Sequence, residues 1–283
     1  MSSTDLTLDQ RDISFAISEW LQLGKLKNSE KYAEFDQDTL EMMVKEGIRF
    51  AIEVVSPTRA ESDRKGCRME EGRVKVSECL HKPFQKAYEL GWASISDSPE
   101  YGGMGAPATI GLIVSEAING ANLGLGMFFG LTSGAAKLIE TYGSDMLKEK
   151  YIAKMFQGQY TGTMCLSEPH AGSDVGAGIT SAESEGDGIY KIKGTKCWIS
   201  SGDNDLGENV IHAVLARVKG APDGTKGLSL FVVPYFRVND DGSLGDRNDV
   251  TVASIENKMG IHSSPTAVLS FGENDDCMGW ILG

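Results

Sequence analysis

The chain has 283 residues, 41% of them apolar and 24% charged, and its 27 Lys plus Arg stand against 40 Asp plus Glu, a formal net charge of −13. The composition is globular and the length suits two domains, which sets aside collagenous, disulfide-scaffold and wholly disordered chains. The acidic balance, with no stretch concentrating Lys and Arg, sets aside nucleic acid as a partner.

In chain order, Met1 to Gln10 carries neither the basic nor the apolar region of a leader. Ile13, Ala16, Ile17, Trp20 and Leu21 recur at the spacing of one helical face. Asp38 and Glu41 suggest a capping box for a second helix, with Leu40, Met43, Val44, Ile48, Ala51 and Val55 as its stripe and Pro57 as its stop. A third helix carries Phe84, Ala87 and Tyr88 and ends at Gly91. PEYGGMG at 99–105 is dense in turn formers and reads as a loop. Helical runs follow on both sides of Gly120, and a last helix spans about Asp145 to Gln157, closed by Gly158. The longest apolar run, around Leu123 to Leu131, falls short of the roughly 20 residues a bilayer needs, so no membrane span and a cytoplasmic location are expected.

From Tyr160 the pattern changes to short segments rich in Val, Ile and Thr: 161–166, 189–199, 210–218, 228–233, 250–255 and 267–271. Helices first and strands second predict an α+β protein. The division expected is an all-helical N-terminal domain over 1–159 and an antiparallel β-barrel or sandwich over 160–283. The run Gly279 to Gly283 follows a predicted strand without a closing element, so the chain reads as cut at its end.

Cysteines 67, 79, 165, 197 and 277 form no C-x-x-C pair, and His81, His170, His212 and His262 show no ligand spacing. No metal site is expected, and the thiols read as reduced. Gly124, Gly126 and Gly130 lack the spacing and the preceding strand of a dinucleotide fingerprint, so close helix packing is the better reading. MCLSEPHAGSDVGA at 164–177 passes from a strand into a loop of small residues and hydroxyls that lets backbone approach a ligand. Taken alone it reads more readily as a plain turn in which Asp174 satisfies backbone donors. GTKCWISS at 194–201, which again sets a hydroxyl beside a large aromatic, shifts the balance toward a ligand site.

Residues 165–174 (CLSEPHAGSD) with 196–200 (KCWIS) resemble the paired flavin-site signature of the acyl-CoA dehydrogenase family. PEYGGMG and NKMGI at 257–261 sit where that family has further short signatures, in the same order, and the resemblance covers nearly the whole chain. SFAISEW at 14–20 and GCRMEEGRV at 66–74 are similar to a longer branch that includes 3-methylmercaptopropionyl-CoA dehydrogenases. IHSSPT at 261–266 departs from the arginine-containing stretch of the commoner members, which leaves any CoA contact there unassigned.

The resemblance implies a helical domain, a middle β domain and a C-terminal helical bundle, the last absent here, with FAD between the last two. It implies that Met164, Leu166, Ser167, Trp198, Ile199 and Ser200 bind FAD: backbone and Ser167 hydroxyl toward the pyrimidine edge, Trp198 beside the ring system, Ser200 toward N5. Ser173 matches a contact to the pantetheine arm of the substrate. The reaction implied is α,β-dehydrogenation of an acyl-CoA thioester to a 2,3-enoyl-CoA, with electrons passed to an electron-transferring flavoprotein by a homo-oligomer. The general base belongs to the missing bundle, and neither Glu168 nor Glu100 corresponds to it, so this chain alone is expected to be an inactive fragment. Two alternatives stay open: an oxygen-using enzyme of the same scaffold, such as an acyl-CoA oxidase, and a natural base-less protein that binds acyl-CoA or a partner.

Overall fold

The computed structural model describes residues 8–283. Helix α1 (Gln10–Phe15) is capped by Asp9 and runs into a π-turn over Ala16–Trp20. That turn bonds i to i+5 and rotates the following side chains off the face that precedes it. Ile17 is therefore buried while Trp20 and Leu21 are exposed, contrary to the stripe predicted through all five positions.

Helix α2 (Gln37–Phe50) is capped two residues before the start of the predicted box. Its cap is Asp36, extended at φ −76° and ψ 174°, whose carboxylate accepts from the Thr39 N–H at 2.8 Å. A cap must stand outside the helical backbone, and Asp38 is already inside it. Leu40, Met43, Val44 and Ile48 are buried as the stripe requires. The chain continues through Ala51–Val55 and a turn at Ser56–Thr58 into α3 (Arg59–Lys65). A small hairpin, β1 (Arg68–Glu70) and β2 (Arg73–Lys75), then interrupts the helices and was not legible as strand. Helix α4 (His81–Glu89) precedes the PEYGGMG loop.

The two runs around Gly120 are two helical segments that meet at a break at Asn122, where φ is −157° and ψ 95°, and together they make up α5 (Ala108–Tyr142). The Asn122 side chain donates to the hydroxyls of Thr58 and Ser62 at 2.9 and 3.0 Å and anchors the bend on the α3 side. By length and composition α5 could cross a membrane, but half of its most apolar stretch is buried in the fold. Ser144 caps α6 (Asp145–Phe156).

The second half contains β3 (Tyr160–Cys165), β4 (Ser181–Gly186), β5 (Ile189–Ser200), β6 (Asn209–Val218), β7 (Leu228–Pro234), β8 (Phe236–Val238), β9 (Leu244–Arg247), β10 (Val250–Ile255), β11 (Thr266–Phe271) and β12 (Met278–Leu282). Pairings run β5 to β12, β12 to β7, β7 to β6, β6 to β4 and β4 back to β5, which closes a ring of five strands. Beyond the ring, β11 pairs with the second half of β5, β10 with β11, and β3 with β6. The sheet is mostly antiparallel, with parallel contacts from β3 and β4 to β6. Strands β4, β8, β9 and β12 were missed in the sequence because few of their residues alternate between a core and a water face.

A helical core gathers around Leu40, Ile110, Leu125 and Phe128, and a barrel core around Phe231, Leu269 and Phe271. A third cluster joins α5 and α6 to the sheet through Ile139, Met155, Tyr160, Ile211 and Val232. Val74, in the helical half, packs into the barrel core, and Leu206, in the strand half, packs into the helical one.

Candidate functional site

The two signature segments lie side by side. The Cys197 N–H donates to the Ser167 carbonyl at 3.0 Å, and the Thr163 hydroxyl donates to the Ser200 carbonyl at 2.9 Å. The end of β3 and its continuation are thus held against the second half of β5. Opposite β11, β5 shifts register between Ala267 and Leu269, where Cys197 and Trp198 together face the single residue Val268, and Trp198 is left-handed at φ 58°. A left-handed backbone is rare for a bulky residue and marks a strained position. The bulge leaves the indole 56% exposed.

Around Trp198 the other predicted residues fall as follows. Met164, Ser167 and Ser200 are half-buried and Leu166 is exposed. The Ile199 side chain is in the barrel core, so only its backbone can face the mouth of the site. The N–H groups of Leu166 and Ser167 meet no acceptor among the described residues. The Gly162 N–H, two residues before Met164, donates to Thr132 of α5 at 3.0 Å, away from the β6 ladder. Strand alternation aims the Met164 N–H to that same side. The turn after Ser167 folds back, so that a Cβ on Gly172 would stand 3.8 Å from the Ser167 hydroxyl, and Ser173 follows it in the open.

Beneath this surface lies an ion pair that motif reading did not single out. Lys196 Nζ donates to the Leu166 carbonyl at 2.8 Å and to Glu168 Oε1 at 2.9 Å, with both side chains 2% exposed. The Glu168 carboxylate also accepts from the N–H groups of Ile179 and Thr180 at 2.8 and 3.0 Å. Burial pushes the Glu168 carboxyl up, but Thr180, Lys196 and the two N–H groups outweigh it and hold the group down at about 2. A buried glutamate held so far down is a poor proton acceptor, which argues against a proton-transfer role. The signal in the sequence was a Glu and a Lys within the two signature segments, where a buried charge without a partner would be prohibitive.

Burial pushes the Cys165 thiol far up and the Cys197 thiol up, which makes both strand fillers and not nucleophiles. Burial likewise holds His212 at about 3, so it is a neutral core side chain. No group of three or more His, Cys, Asp or Glu positioned to hold a metal ion occurs among the described residues.

A cleft of about 340 Å³ lies on the helical side, lined by Trp92, Ile95, Leu112, Ile118 and Phe129, with Ser133 among its polar groups. Ser133 adjoins Thr132, the partner of Gly162, so this cleft neighbours the strand that carries Met164.

Residues 37–159 match the family profile described as acyl-CoA dehydrogenase, N-terminal domain, and residues 163–273 match its middle domain. A butyryl-CoA dehydrogenase of Syntrophomonas wolfei is 39% identical over all of this chain and 47% of its own length. The 3-methylmercaptopropionyl-CoA dehydrogenase of Ruegeria pomeroyi is 38% identical over 96% of this chain and 46% of its own. A chain in a structure of the electron transferring flavoprotein of Acidaminococcus fermentans superposes with a TM-score of 0.68 at 27% identity, covering 88% of this chain and 58% of that one. This chain spans about half the length of the curated relatives it matches.

Proposed function

The chain belongs to the acyl-CoA dehydrogenase family, and from that premise we propose that it forms the flavin-side face of an FAD-dependent enzyme acting on an acyl-CoA thioester. The observation that carries this reading is the pair of free N–H groups at Leu166 and Ser167, set beside the Ser167 hydroxyl and the exposed indole of Trp198. These are donors for an electron-rich heterocycle edge next to an apolar wall for its ring face. FAD, when bound, accepts the β hydride of the substrate. Leu166 and Ser167 donate to its pyrimidine edge, with the Met164 backbone on the same side. Trp198 covers the ring and excludes water, while the Ile199 backbone and Ser200 approach the N5 region.

Ser173 contacts the pantetheine arm, and the cleft between Trp92 and Phe129 receives the acyl group, which would give its β hydride to FAD and its α proton to a base outside this chain and leave as a 2,3-enoyl thioester. Residues 1–159 and 160–283 act as the helical and flavin-side domains. The protein works in the cytoplasm as a homo-oligomer and passes its electrons to an electron-transferring flavoprotein. No general base is assigned within the chain, because Glu168 is consumed by its ion pair.

The test is anaerobic addition of short acyl-CoA thioesters to the FAD-loaded full-length protein. Bleaching of the flavin with formation of enoyl-CoA, and reoxidation by an electron-transferring flavoprotein, is expected. A full-length protein that takes up no flavin would exclude the reading.

A further inference from the structure

We propose that Lys196 and Glu168 are positioning residues that tune the reduction potential of the flavin through the Leu166–Ser167 peptide. This rests on the flavin reading above and goes beyond it, because neither side chain belongs to the surface that meets the cofactor.

One peptide unit links the ion pair to the site. Its carbonyl, on Leu166, accepts from the buried ammonium of Lys196 at 2.8 Å. In a trans peptide the C=O and N–H point in opposite directions, so the Ser167 N–H is directed away from Lys196, and no acceptor meets it among the described residues. A cation on the oxygen end of an amide draws electron density from its N–H end and makes that group a stronger donor, the cooperative effect of a hydrogen-bonded chain in a low-dielectric interior. The next carbonyl, on Ser167, is held by the Cys197 N–H at 3.0 Å. Ser167 is thus fixed from both sides, and its donor can be strengthened without moving.

Glu168 sets how much of the ammonium charge reaches the peptide. It neutralises Lys196 at 2.9 Å while the N–H groups of Ile179 and Thr180 share its own charge. Reduction raises the negative charge on the cofactor edge, so a stronger donor there favours the reduced form, and a weaker one the oxidised form. The two residues therefore act with opposite sign.

The experiment is a redox titration of the FAD-loaded full-length protein against a dye of known potential. Lys196→Met should lower the midpoint potential by an amount equal to a loss on the order of tenfold in preference for reduced over oxidised flavin, about 30 mV for a two-electron couple. Glu168→Gln, which leaves the ammonium uncompensated, should raise it. The double variant, free of both buried charges, should lie below the wild type. If Lys196→Met does not fold, the other two variants decide by the same signs. A merely structural pair would loosen FAD in every variant and shift the potential in one direction or not at all, and that result overturns the inference. A wild type without FAD removes both this inference and the reading beneath it, whereas FAD-loaded variants of unchanged potential remove this inference alone.

Discussion

Arg73 grips Asp203 across the junction of the two halves. Its guanidinium meets the carboxylate through Nε and Nη2 at 2.7–3.0 Å, and that fully buried carboxylate also accepts from the Val74 N–H at 2.7 Å. The guanidinium lies over the Tyr235 ring, 4.1 Å from its centroid. The hairpin of the helical half is in this way clamped to the barrel, directly after the strand that carries Trp198 and Ser200.

Truncation at Arg73 should expose the worth of that clamp. Arg73→Met leaves Asp203 charged and buried, so unfolding in urea should show a loss near the lower end of about 3–5 kcal/mol. Arg73→Lys should recover only part of it, since an ammonium can neither bond the carboxylate as a fork nor stack as a plane. Full recovery by lysine would mean that charge alone matters.

Acid should strip the Glu168 contribution in a defined window. The folded-state group sits at about 2 against an ordinary 4.5, so its stabilisation is present above 4.5 and is lost as pH falls from there toward 2. That loss amounts to about 3 kcal/mol. Glu168→Gln should be less stable at neutral pH and show a flatter stability profile across the window. A wild-type profile already flat there would contradict the assignment.

His262 should behave in the opposite sense. Its Nδ1 faces the Asp63 carboxylate at 3.3 Å and its Nε2 faces the Lys258 carbonyl at 2.8 Å. Both partners only accept, so the ring is held as the imidazolium. The bond to Asp63 first and that to Lys258 second raise it above 6.5, against burial and the nearby Lys258 ammonium. The contact is therefore complete below 6.5 and weakens as pH rises through the folded-state value. Hydrogen-exchange protection factors across residues 257–265, with the intrinsic rise of exchange with pH divided out, should fall above neutrality, and His262→Ala should leave protection low and independent of pH.

At Trp198, fold and cofactor should separate. The backbone is left-handed at φ 58° and the indole is exposed, so Trp198→Gly relieves strain and removes little packing. Thermal melts should place its stability within about 1 kcal/mol of the parent, while FAD titration of the full-length variant shows weaker binding. Unchanged flavin affinity would take the indole out of the site.

Ser173 stands exposed, and it makes no hydrogen bond among the described residues. In the full-length enzyme Ser173→Ala should raise KM for acyl-CoA and leave kcat intact, the pattern of a contact that binds substrate and transition state alike. A fall in kcat alone would assign the hydroxyl to chemistry.

The change from helical to strand texture at Tyr160 was legible in the residues themselves, because period 3.6 and period 2 are local properties of side-chain order. So were both signature segments, since small residues, hydroxyls and a tryptophan in fixed sequence stand out without coordinates. Pairing was not: the closed ring of strands depends on which part of β5 faces β4 and β12 and which faces β11, and contacts between distant segments leave no periodic trace in either one. The outward bend of Trp198 comes from a bulge defined only against β11, and the Asp36 cap and the Trp20 exposure come from where a helix begins and where it widens. Lys196 and Glu168 were visible as charged letters in the two signature segments, but their partnership across 28 positions belongs to the fold. A buried charge must find its opposite in space, and only tertiary packing decides which residue that is.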